Sequence, residues 1–139
     1  MSALLLISSQ IENDFSNIRA KVNNKEFHTL NGNILNCHNF KMVHINKGNS
    51  NFQNKYDDIA RILDFFKPQL LSIQEANYKI DTNLTFKGYK LEYNLLTKSY
   101  KTARTVLLIW EDIPYERCYE YENEFISRIW VQIFMSKNR

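Results

Sequence analysis

Glycine and proline are scarce: three and two in 139 residues, which leaves little room for a collagen-like, linker-like or turn-dense architecture. Cysteine is scarce too. Cys37 and Cys118 lie far apart and fit neither a CxxC pair nor a Cys/His zinc spacing, so they are expected to pack as reduced thiols. No apolar run approaches the length of a membrane span. The run from Ala3 to Ile7 is too short for a secretory leader, and no basic residue precedes it. The expectation is an intracellular chain, nuclear or cytoplasmic, with no membrane partner. Neither sign of charge dominates: 18 Lys and Arg stand against 15 Asp and Glu. The net +3 permits a polyanionic partner without requiring one. What the chain does have is bulk. Hydrophobic residues make up 44% and aromatics 14%, enough for one ordinary core.

Along the chain, Ile11, Phe15, Ile18 and Val22 recur at helical spacing, with charges between them. Residues 1–30 therefore read as an extension built on one amphipathic helix, with Ser9 and Glu12 placed as a capping box. Asn31-Gly32-Asn33 suits either a hairpin between residues 27–30 and 34–37 or a break before a single buried strand, Ile34 to Cys37. The polar stretch from Asn39 to Asn54 reads as a loop. The clearest helix follows, with Tyr56, Ile59, Ile62, Leu63 and Phe66 on one face and Pro68 ending it. Leu70 to Ile73, closing on Gln74-Glu75, has the look of a buried parallel strand. Strands are also expected at residues 88–93, 105–110 and 126–134, with a turn at Asp112-Ile113-Pro114.

Strand, helix, strand in that order suggests a right-handed βαβ unit with Ile34–Cys37 parallel to Leu70–Ile73. Ligand sites of open α/β sheets collect beyond the carboxyl ends of such strands. That placement would deliver Asn36 and Glu75 to one edge. A carboxylate there suits Mg²⁺, which takes oxygen ligands and keeps several waters. The amide of Asn36 can orient a second ligand or hydrogen-bond a phosphate oxygen.

Residues 35–40, the helix ending at Lys67-Pro68, and Leu70-Leu71-Ser72-Ile73-Gln74-Glu75 resemble the opening of the endonuclease/exonuclease/phosphatase superfamily. Its first motif is an Asn ending the first strand, and its second is a Gln-Glu pair ending the next. Phe86-Lys87-Gly88-Tyr89 and residues 103–109 extend the likeness. Arg104, Glu120 or Glu122, and residues 127–133 look closest to endonuclease domains of non-LTR retrotransposons. The resemblance covers about residues 31 to 139. It departs from the family at Asn39 (commonly Ser or Gly), at Ala76 (commonly Thr), and at residues 103–105, which replace a glycine pair.

The resemblance implies a partial four-layer α/β sandwich, residues 31–139, from a Mg²⁺-dependent DNA endonuclease of retroelement type. It implies Asn36 and Glu75 as catalytic residues, Glu75 as the metal ligand, and DNA as the partner of the intact domain. The family also uses a Tyr-containing strand, an Asp-x-Asn motif and an Asp-His pair in the second half of the domain, past Arg139. The chain is therefore expected to be a truncated, inactive portion. The strands at 105–110 and 129–134 are expected to expose apolar surface and to invite self-association. Read on their own, Arg104, Lys101 and Tyr100 are candidate nucleic-acid contacts, because basic groups interleaved with aromatics suit a phosphate backbone and its bases. The alternative is a non-enzymatic module that binds nucleic acid, or a protein through its N-terminal segment.

Overall fold

A computed structural model describes residues 2–12, 15–22, 28–30, 34–37, 40–46, 55–82, 84–95, 102–122 and 128–136. The fold is mixed α/β, mostly strands with one helix. In chain order the strands are β1 Ser2–Glu12, β2 Phe15–Val22, β3 His28–Leu30, β4 Ile34–Cys37 and β5 Phe40–Asn46. After helix α1, Tyr56–Phe66, come β6 Leu70–Gln74, β7 Tyr78–Lys79, β8 Tyr89–Leu95, β9 Thr102–Trp110, β10 Tyr115–Arg117 and β11 Arg128–Ser136. They form two open sheets. One has the order β10-β11-β1-β2-β3; the other has the order β4-β5-β6-β9-β7, with β8 on the free side of β9.

The second sheet lies between α1 and the first sheet, because its strands are apolar on both faces. Met42, Leu70, Leu107 and Ile109 pack against Ile129, Val131 and Ile133 of β11. Val43, Leu71, Ile73, Val106 and Leu108 pack on the other face, against Ile59 and Leu63 of α1. The helix forms as its spacing predicts. It stops where Lys67 adopts a left-handed φ of 47° and its N–H caps Leu63 O at 2.9 Å, immediately before Pro68.

Several expectations are corrected. Ile11, Glu12 and residues 15–22 are strand, not helix. β1 and β2 pair antiparallel, with Leu5, Ile7 and Ser9 opposite Val22, Ala20 and Ile18. The segment Asn17 to Val22 alternates polar and apolar residues, and that two-residue period wins once β11 supplies nine paired positions along β1. β3 and β4 do not pair with each other as a hairpin: β3 pairs with β2 in one sheet and β4 with β5 in the other, and Asn31–Asn33 lie outside the described residues. The stretch read as a loop from Asn39 contains β5, where Met42 is buried toward the first sheet and Val43 toward the helix.

The strands at 105–110 and 129–134 do not leave apolar faces bare. Ile129, Val131 and Ile133 are fully buried against β5, β6 and β9. The N-terminal strands account for this, because β1 to β3 widen the covering sheet from two strands to five. Among the described residues, no helix is long and apolar enough to cross a membrane.

Candidate functional site

Among the described residues, β5 and β6 are the one pair of neighbouring strands in the inner sheet that run parallel. Helix α1 connects them, so the crossover unit is β5-α1-β6. Their register pairs Met42 with Leu70, His44 with Ser72 and Asn46 with Gln74. Both carboxyl ends therefore reach one edge, where Asn46 stands beside Gln74 and Glu75 follows. Asn36 is elsewhere. β4 runs antiparallel to β5 and sets Asn36 opposite Lys41, whose carbonyl accepts from Gln69 N–H at 3.0 Å. Gln69 and Glu75 are six residues apart along an extended strand, about 20 Å. Asn36 and Glu75 thus occupy opposite ends of the sheet and cannot share a cation. The expectation that Ile34–Cys37 lies parallel to β6 fails because a four-residue strand followed closely by another pairs with it antiparallel.

The inner sheet grows more polar toward the Glu75 edge. Across β5, β6, β9 and β8 the first row is Met42, Leu70, Ile109 and Lys90; the second is His44, Ser72, Leu107 and Glu92. The third is Asn46, Gln74, Thr105 and Asn94, linked by register and by the Thr105 hydroxyl donating to Gln74 Oε1 at 3.1 Å. Gln74 and Thr105 are fully buried and Asn94 nearly so. Burying amides and hydroxyls costs free energy unless they are hydrogen-bonded, so a core built for stability alone would carry apolar groups here.

Glu75 itself is half-buried and has a left-handed φ of 51°; Asn77 has 50°. Side chains with a Cβ adopt that region at a cost, and such residues gather at binding sites. The conformation is enforced by β9. Ala76 N–H donates to Arg104 O at 2.8 Å, and Arg104 is the extra residue in a bulge of β9, between Leu95↔Ala103 and Asn94↔Thr105. The structure therefore brings Arg104, which is exposed, next to Glu75. Tyr100 and Lys101 lie outside the described residues.

A network missed in the sequence ties the two sheets together near this edge. Arg117 on β10 donates from Nε and Nη2 to both oxygens of Glu122, at 2.6 and 2.7 Å, and from Nη1 to Glu92 at 2.8 Å. Glu122 also accepts from Asn94 Nδ2 at 3.0 Å and from Trp130 N–H at 3.1 Å. The Tyr115 hydroxyl donates to the other oxygen of Glu92. Burial alone would pull the Arg117 guanidinium down, but hydrogen bonds and charge from Glu122 and then Glu92 leave it raised. Burial, then the bond to Glu92, holds the Tyr115 phenol far above its usual range. Glu122 carried a signal in its likeness to the retrotransposon domains; Arg117, Glu92 and Asn94 carried none beyond strand alternation.

Comparison with known proteins found no matching family model, no matching curated protein and no matching solved structure. Among the described residues, no three His, Cys, Asp or Glu side chains gather as a metal centre.

Proposed function

We infer that the chain is the N-terminal portion of a Mg²⁺-dependent phosphodiester-hydrolysing domain of the endonuclease/exonuclease/phosphatase kind, with DNA as the substrate of the intact domain. The observation that carries this reading is the shared edge of β5 and β6, which sets Asn46 beside Gln74-Glu75. An Asn ending one strand and a Gln-Glu pair ending the next are that family's first two motifs. On this reading Asn46, the register partner of Gln74, stands for the first motif in place of Asn36. The stack of α1 on two facing sheets agrees with three of the four layers such a fold has.

The donor chemistry fits the metal. Mg²⁺ binds through one or two carboxylates together with substrate phosphates and keeps several waters, so a single carboxylate at a polar edge can serve as its protein ligand. When bound, Mg²⁺ would supply positive charge to the oxygens of the phosphodiester. Glu75 would hold the ion, its backbone fixed by the Ala76 to Arg104 hydrogen bond and by the buried Gln74–Thr105 pair. Asn46 would orient a ligand beside it, and Arg104 would meet a phosphate. The resemblance assigns water activation and the phosphate-binding His to the second half of the domain.

Calorimetric titration with Mg²⁺ tests this. Glu75→Gln is expected to weaken binding at least tenfold and Asn46→Ala to weaken it measurably, while Asn36→Ala leaves it unchanged. Binding indifferent to Glu75→Gln, or as sensitive to Asn36 as to Asn46, would refute the reading.

A further inference from the structure

The face of the inner sheet that carries α1 ends, at the Glu75 edge, in two tyrosine rings. Tyr78 on β7 and Tyr93 on β8 flank β9 from opposite sides, with ring centroids 5.9 Å apart and planes at 56°. They meet over β9 because Ala103, the register partner of Tyr78, is small and fully buried. Tyr78 is buried, whereas Tyr93 is 37% exposed. The outer ring thus rests on an inner one and keeps surface open to solvent.

An exposed cation stands beside it: Arg104 lies in the β9 bulge between the two strands. The acidic groups on these segments are Glu75, the proposed metal ligand, the exposed Asp81, and Glu92, which pairs with Arg117. An open aromatic ring beside a cation suits a polymer of alternating flat bases and phosphates. In a duplex the faces of the bases are already stacked on one another, so only an unpaired base offers its face to a protein ring.

We propose that this edge binds an unpaired nucleic-acid strand, with a base stacked on Tyr93 and a flanking phosphate on Arg104. The proposal rests on the reading of Glu75 as a phosphodiester site and names the form of its substrate. Fluorescence anisotropy with labelled oligothymidylate and a duplex of equal length, in EDTA, tests it on the full chain. The single strand is expected to bind at least tenfold more tightly. Tyr93→Leu should lose about five- to tenfold of single-strand affinity, and Tyr93→Phe should keep it, since stacking needs the ring and not the hydroxyl. Arg104→Gln should lower the slope of log affinity against log salt by about one contact.

Equal or tighter duplex binding, or Tyr93→Leu without effect, overturns the proposal. Should Tyr93→Leu unfold the chain, Tyr93→Phe decides: retained binding supports stacking and lost binding overturns it. Because EDTA removes the metal, the two readings fail separately. Single-strand binding without Mg²⁺ affinity leaves the platform standing and sinks the metal reading; Mg²⁺ affinity without single-strand preference does the reverse.

Discussion

Replacing Arg117 with alanine perturbs the joint between the sheets most sharply. Its side chain is 9% exposed and that of Glu122 only 5%, so both charges have left water. Glu122 collects four hydrogen bonds, two of them from Arg117, and Glu92 loses its ion pair when Arg117 goes. Removing one partner of a buried pair leaves the other charge uncompensated, and such losses run about 3–5 kcal/mol. An exposed pair would lose about 0–1 kcal/mol. The two outcomes are far enough apart to separate by urea denaturation, read as a shift in midpoint at constant slope. We expect Arg117→Ala to cost about 3–5 kcal/mol and Arg117→Met combined with Glu122→Leu to cost much less, because the double variant leaves one fewer stranded carboxylate. A loss below about 1 kcal/mol in the single variant would refute the claim that this joint is buried and mutually dependent.

Other outcomes follow from the same geometry. Gly88→Ala should destabilise by about 1–3 kcal/mol, since Gly88 has φ 83° and an added Cβ would stand 2.4 Å from the Trp110 ring; a thermal melt with indole fluorescence reads both effects. Leu107→Ala, fully buried between the sheets, should cost about 2–5 kcal/mol in the same denaturation assay. Stability should fall in alkali. Burial raises the Tyr78, Tyr89 and Tyr115 phenols above 10.0, so above that pH the unfolded chain releases protons that the native state retains. The contribution is intact below pH 10 and is lost as pH rises through the native values; a midpoint that rises with alkali would contradict it.

The sequence made α1, β6 and β9 legible because each is governed by a local rule. Helical spacing with Pro68 defines the first, and short runs of buried aliphatic residues define the other two. The N-terminal strands were not legible, since Ile11, Phe15, Ile18 and Val22 satisfy a helical period while Ile18, Ala20 and Val22 satisfy a strand period. Only pairing with β11, more than a hundred residues away in sequence, decides between them. β5 was hidden by its Lys, His and Asn residues, which look loop-like until both its faces are seen to be covered. That error took Ile34–Cys37, in place of β5, as the strand parallel to β6, and so set Asn36 rather than Asn46 at the edge beside Gln74. Arg104 and Tyr93 stood out in the sequence as basic and aromatic residues interleaved across two strands. The contact of Tyr93 with Tyr78 and the Arg117 network depend on register and on contacts between distant strands, which no local pattern encodes.

The account stands on Asn46 and Glu75 meeting at one edge of the inner sheet. Paramagnetic broadening of backbone amide resonances by substoichiometric Mn²⁺ reads that placement directly. Signals from Asn46 and from Gln74 to Ala76 should broaden together and recover in Glu75→Gln, while those of Asn36 and Lys41 stay sharp. Broadening centred on Asn36, or none at Glu75, would contradict it.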